Sequence, residues 1–144
     1  MYKYTFDEYV SDVDAIAIQV EASGIAYDHI VGIARGGLIP AVQLSHQLKV
    51  PFASIHWSTR DNIGRDLKNI LLLAGGNKRI LLVDDICDSG KTLTEITTYP
   101  FFKAKIDTAV LIYNVAQEFT PTYFGKTIDR TKFTDWLDFW WETI

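Results

Sequence analysis

The stretch Ile80-Leu81-Leu82-Val83-Asp84-Asp85-Ile86-Cys87-Asp88-Ser89-Gly90-Lys91-Thr92-Leu93 decides how the rest of the chain is read. Arg79 to Val83 is almost wholly apolar, the pattern of a central strand covered on both faces. The run stops at two adjacent acids, Asp84 and Asp85, and a loop of acid, hydroxyl and glycine then opens a helix expected over Gly90 to Thr98. A helix N-terminus offers unpaired backbone N–H groups and a favourable dipole, and Ser89, Lys91 and Thr92 add donors beside it, so the loop suits a phosphate dianion. Gly90 lets the backbone approach such a ligand closely. Hydrogen bonds to a charged group contribute roughly 1.5–3 kcal/mol each, so three or four hold a phosphate firmly.

Asp84, Asp85 and Asp88 fall within five residues. Such carboxylates repel one another, and a phosphate, unless they meet hydroxyls, a metal ion or a cationic transition state. Asp84 and Asp85 suit a ribose diol, while Asp88, a loop turn further on, is expected nearer a reacting carbon. Positive charge developing ~4 Å from a carboxylate gains about 4 kcal/mol at an effective dielectric of 20. Gly90-Lys91-Thr92 also matches the tail of a nucleotide-triphosphate loop, but that pattern requires glycine where Asp85 stands. Any one of these residues reads equally well as a turn or cap; the joint pattern in a strand-to-helix context is far more specific.

Working outward, strands and helices alternate. Phe6, Tyr9, Val10, Val13, Ile16, Ala17 and Val20 form a helical stripe over Phe6 to Ala22, with Asp7 and Glu8 in the first turn. His29 to Ile33 reads as a strand that ends at Ala34-Arg35-Gly36-Gly37 before a helix over Leu38 to Leu48. Pro51 to Trp57 reads as another strand, and the polar segment 58–66 as a mobile loop. Ile70 to Ala74 is apolar, Gly75-Gly76-Asn77 is a turn, and Thr108 to Tyr113 is a further strand. Short loops between alternating elements predict an α/β fold, a mostly parallel central sheet flanked by helices, as a single domain over 1–144. Ligands then bind beyond the carboxyl ends of the strands, where both glycine loops fall.

Composition narrows the function. The 144 residues carry 14 Lys and Arg against 18 Asp and Glu, a net charge of −4 that argues against a nucleic-acid surface. No apolar run reaches the ~18 residues of a membrane span, and the N-terminus lacks the features of an export signal, so the cytoplasm is the expected compartment. The single cysteine, Cys87, reads as a small buried hydrophobe. Three of the four tryptophans crowd between Trp136 and Trp141.

The run from Ile80 to Leu93 resembles the phosphoribosyl pyrophosphate motif of the type I phosphoribosyltransferases, and Val31 to Pro40 resembles that family's pyrophosphate loop. In the family the peptide at the position of Arg35-Gly36 has an unusual backbone that binds pyrophosphate. The ending Asp135-Trp136-Leu137-Asp138-Phe139-Trp140-Trp141-Glu142 resembles the base-binding hood of the xanthine-guanine and hypoxanthine members, placing a hood over about residues 115–144. By this resemblance Trp136 stacks on a purine, Leu137 reads its edge through backbone groups, and Glu142 joins Asp84 and Asp85 in holding Mg2+. Asp88 takes or returns the proton on purine N7, Arg35 and Gly36 hold the leaving pyrophosphate, and Arg60 and Arg65 sit on a closing loop. A homodimer or homotetramer is implied, with Phe101-Phe102 in such a contact or in the core.

Two positions depart from the family pattern. Trp140 replaces a proline, and covering the sheet is an equally good reading of it. Asn114 stands where a lysine donates to a 6-oxo group, and its amide suits a 6-oxo or a 6-amino base, or a plain strand end. The expected activity is transfer of phosphoribose to an oxopurine. The alternatives are a non-catalytic sensor of phosphoribosyl pyrophosphate or nucleotides, and a transferase for adenine or orotate.

Overall fold

The computed structural model describes residues 1–57 and 67–142. The expected loop 58–66, with Arg60 and Arg65, lies outside them. Five parallel strands make the central sheet: β2 (His29–Ala34), β3 (Phe52–His56), β4 (Arg79–Cys87), β5 (Lys105–Asn114) and β6 (Tyr123–Ile128), in the order β3-β2-β4-β5-β6. A second, two-stranded parallel sheet joins β1 (Tyr2–Tyr4) to β7 (Leu137–Phe139).

The alternation of side chains along β4 makes the layers. Leu81 and Val83 face a core shared with α1 (Phe6–Ser23) and α2 (Leu38–Leu48), while Ile80 and Leu82 face one shared with α3 (Leu67–Ala74) and α4 (Lys91–Thr98). All four are fully buried, as a strand covered on both faces requires. Cys87 is buried in the second core, and burial pushes its thiol up to about 11, so it is an inert hydrophobe at neutral pH. Among the described residues no helix is long and apolar enough to cross a membrane.

Two local expectations need correction, and one stretch left unassigned gains an element. The apolar run does not stop at Val83: β4 continues through both acids to Cys87, because Asp84, Ile86 and Cys87 stay in register with Val110, Ile112 and Tyr113 of β5. Ile70 to Ala74, read from the sequence only as apolar, belongs to a helix in which the buried residues described, Ile70 and Leu73, are three apart. Within 115–144, β6 extends the central sheet, so only the segment beyond it forms a hood.

That hood is held down from the other end of the chain. Tyr2, Lys3 and Tyr4 pair with Leu137, Asp138 and Phe139, and the Tyr2 N–H donates to the Trp136 carbonyl at 2.8 Å. A polar network locks β1 onto α1 and β6: the Tyr4 hydroxyl donates to buried Asp12 at 2.6 Å, the Tyr2 hydroxyl donates to Glu8, and Lys126 Nζ lies 3.0 Å from Glu8 and 3.5 Å from Asp12. Burial raises the Glu8 carboxyl, but hydrogen bonds from Tyr2, the Thr5 backbone and Lys126 outweigh it and bring it down to about 2.

Candidate functional site: a phosphate cradle and a tryptophan hood

The carboxyl ends of β2 and β4 bring the two glycine loops together. Gly36 is pressed against Asp85: a Cβ there would lie 2.0 Å from Asp85 Oδ2, so any larger residue would displace the Asp85 carboxylate where the β2–α2 loop meets the β4 acids. The non-proline peptide between Ala34 and Arg35 is cis, which moves the unusual peptide one residue earlier than Arg35-Gly36. Arg35 is exposed at this corner.

After β4 the chain wraps a cavity of about 150 Å³ lined by Asp84, Asp88, Ser89, Gly90, Lys91 and Thr92, with Ile86, Cys87 and Leu93 beneath. Gly90 takes the left-handed conformation at φ 77°, and among the described residues no side chain caps the Thr92 and Leu93 N–H groups in the first turn of α4, which remain for a ligand. Ser89 Oγ accepts from the Lys91 N–H at 3.3 Å, which tightens the loop.

Asp84 and Asp85 are half-buried, and among the described residues neither pairs with a lysine or arginine. Burial, then the charge of Asp85, pushes the Asp84 carboxyl well above the ordinary range, and burial raises Asp85 as well. Among the described residues no three His, Cys, Asp or Glu side chains cluster to hold a metal ion by themselves. Two hard, charge-starved carboxylates fit Mg2+ in its usual mode, in which one or two carboxylates share the ion with substrate phosphates and water. Glu142 is exposed, lines the second pocket with Asp85, and accepts from the Phe139 N–H at 3.1 Å.

That second pocket, about 210 Å³, is lined by Asp85, Ile86, Asp88, Arg130, Trp136, Leu137, Phe139 and Glu142. The Trp136 ring is 74% exposed beside it, whereas Leu137 is buried in β7. Trp140 and Trp141 face away into packing: Trp140 meets Phe6 and Tyr9 edge-on at 5.3 and 5.5 Å, and Trp141 stacks on Phe139 at 4.7 Å. Trp140 therefore covers the fold, the second of its two expected roles. Phe101 and Phe102 also part company, Phe102 packing on Trp57 at 5.8 Å while Phe101 is 71% exposed.

Asp88 borders both pockets. Its carboxylate is gripped by Arg130, which donates from Nε to Oδ1 at 3.0 Å and from Nη2 to Oδ2 at 3.1 Å. The expectation that Asn114 reads a base needs correction. Its side chain is buried, donates to the Asp88 carbonyl at 2.8 Å, and accepts from the Ala116 and Arg130 N–H groups at 3.0 and 3.1 Å. It braces the Asp88 loop against Arg130. The sequence reading missed Arg130, which lies among Asp129, Thr131 and Lys132 in a turn of the kind that reads as solvated surface.

The sequence pattern of the phosphoribosyl transferase domain matches residues 5–142. The chain belongs to the phosphoribosyl transferase domain family. It is 32% identical over 109 residues to the xanthine-guanine phosphoribosyltransferase of Cereibacter sphaeroides, a match covering 69% of this chain and 65% of that relative's length. The crystal structure of the purine phosphoribosyltransferase from Pyrococcus horikoshii matches 99% of this chain and 94% of its own, at a TM-score of 0.73 and 28% identity. The Helicobacter pylori xanthine-guanine-hypoxanthine phosphoribosyltransferase matches 99% and 93%, at a TM-score of 0.71 and 21% identity, and so shares the fold. In this phosphoribosyl transferase domain, the β4–α4 cradle and the β2–α2 corner are built by the two segments whose sequences resemble the family's phosphoribosyl pyrophosphate and pyrophosphate loops.

Proposed function

We propose that the protein transfers phosphoribose from 5-phosphoribosyl-1-pyrophosphate to a 6-oxopurine such as xanthine, guanine or hypoxanthine, releasing pyrophosphate. The observation that carries this is Asp88, among the described residues the one acid bordering both the phosphate cradle and the pocket beside Trp136. A sugar phosphate in the first pocket and a flat base in the second would meet at that carboxylate.

Each part then has a task. The Ser89 and Thr92 hydroxyls, Lys91 and the N–H groups around Gly90 bind the 5-phosphate, and Asp84 and Asp85 accept from the ribose diol. Arg35 and the backbone at Gly36 meet the leaving pyrophosphate. The bond from C1 to pyrophosphate oxygen breaks, its electron pair leaving with pyrophosphate, and the lone pair of a purine ring nitrogen forms the new bond to C1. The purine N7 proton passes to Asp88, whose charge also faces the oxocarbenium-like carbon. Trp136 stacks on the base and Leu137 reads its edge through the backbone. Asp84, Asp85 and Glu142 would hold Mg2+, which supplies charge neutralisation for the pyrophosphate. Mg2+ itself and a homodimer or homotetramer as working state rest on the family resemblance.

The test is turnover of guanine, xanthine, hypoxanthine, adenine and orotate with phosphoribosyl pyrophosphate and Mg2+, followed as nucleotide and pyrophosphate. Turnover of an oxopurine supports the proposal. Turnover of adenine or orotate alone overturns the base class, and phosphoribosyl pyrophosphate binding without turnover of any base favours a sensor.

A further inference from the structure

We infer that Arg130 is the residue that reads the base, and that its guanidinium selects an acceptor, a 6-oxo group, over a 6-amino group. The inference rests on the reading that the pocket beside Trp136 takes a purine.

A guanidinium carries five N–H donors and no acceptor. Arg130 Nη1 donates to the carbonyls of Phe133 at 3.3 Å and Asp135 at 2.6 Å, Nε donates to Asp88 Oδ1, and one Nη2 proton goes to Oδ2. These bonds account for four donors. The fifth, the second proton on Nη2, has no partner among the described residues. Arg130 lines the pocket together with Trp136 and Leu137.

The fork is held rigidly. Both carbonyls that fix Nη1 belong to the segment leading into β7, and the Arg130 N–H is fixed by Asn114 Oδ1 at 3.1 Å. The Phe133 ring packs 5.8 Å from the guanidinium carbon. A planar, pre-set fork with one spare donor can satisfy a carbonyl oxygen in its plane and cannot satisfy an amino group. Asn114, whose amide has both a donor and an acceptor, would have left that choice open; with its side chain buried and turned to Asp88, Ala116 and Arg130, the choice passes to a donor-only group. Arg130 also grips Asp88, so base recognition and the proposed proton acceptor share one side chain.

The test uses inosine and adenosine monophosphates, which share ribose and phosphate and differ at the 6-position and the adjoining N1. Calorimetric titration of the protein should show inosine monophosphate binding about 10- to 100-fold tighter, the range expected for one charged hydrogen bond made or left unmade. In Arg130→Met the two affinities should fall within about threefold of each other, and Arg130→Lys, which keeps a donor, should retain the preference in part. A purely structural role for Arg130 would weaken both nucleotides alike, because everything but the base edge is the same. An unchanged ratio in Arg130→Met, or no preference in the unmodified protein, overturns the inference; should Arg130→Met not fold, the unmodified protein and Arg130→Lys decide it by the same ratio. Hypoxanthine turnover measured alongside separates the two claims. A protein that prefers inosine monophosphate through Arg130 yet turns over no base upholds the inference and refutes the transferase reading, while failure to bind either nucleotide refutes both.

Discussion

The phosphate cradle and the hood are built in opposite ways. The cradle is one continuous segment: Asp84, Asp88, Ser89, Gly90 and Thr92 fall within nine residues, and the strand-to-helix turn places them together, with Asn114 and Arg130 bracing only Asp88 from outside it. Across from it, the hood draws its strand partner from the extreme N-terminus, its brace from Asn114 at the end of β5, and its cation from the turn after β6. A locally encoded site is set once its flanking elements form. A site assembled from distant segments depends on the packing of all of them, and so can be varied or loosened without disturbing its neighbour.

The contrast is sharpest among the tryptophans. Trp141→Ala removes a half-buried ring stacked on Phe139 and edge-on to Tyr4 and Tyr9. It should cost about 2–3 kcal/mol of stability, below the range for a fully buried ring, readable as a lowered denaturant midpoint. Trp136→Ala removes an exposed ring, so stability should hold within about 0.5 kcal/mol. Affinity for the purine base should nevertheless fall by about 1–2 kcal/mol, measured as a raised KM for the base with that for phosphoribosyl pyrophosphate unchanged. A Trp136→Ala protein as unstable as Trp141→Ala would erase the distinction between reading and packing.

The anchor of the hood should also be sensitive to acid. Glu8 titrates near 2 in the fold against an ordinary value of 4.5, a depressed carboxylate. Its contribution is fully present above pH 4.5 and is lost as pH falls from 4.5 towards 2. Glu8→Gln removes that dependence, so its denaturation midpoint should fall less steeply across the same window, by a difference on the order of 1 kcal/mol after allowance for solvent screening. Parallel acid profiles for the two proteins would mean that the Tyr2–Glu8–Lys126 network does not hold β1 and β7 down.

Legibility in the sequence followed the same division. The parallel sheet, the helices over Phe6–Ser23 and Leu38–Leu48, and the grouping of Asp84 to Thr92 could be read because periodicity and a contiguous motif are local signals. β1 could not: three residues, Tyr2 to Tyr4, carry no periodicity, and their strand exists only because Leu137 to Phe139 return beside them. Asn114 was misjudged for a related reason. Its type allows a base contact, and only the arrival of the Arg130 N–H and the Asp88 carbonyl shows that its amide is already engaged. Arg130 itself had no local mark, since a charged residue in a polar turn reads as surface until the carboxylate it reaches is known. The end of β4 was set too early because two acids normally break an apolar run, whereas here β5 continues the ladder beyond them.

The most direct test of the central claim lies at the residue the two regions share. In Asp88→Asn, affinity for phosphoribosyl pyrophosphate and pyrophosphate release with hypoxanthine should be measured on the same preparation. Affinity is expected to stay within about threefold while release falls about 10²- to 10⁴-fold, the usual cost of losing a general acid/base. Release that survives within about tenfold would remove Asp88 from the chemistry and contradict the account of how cradle and hood work together.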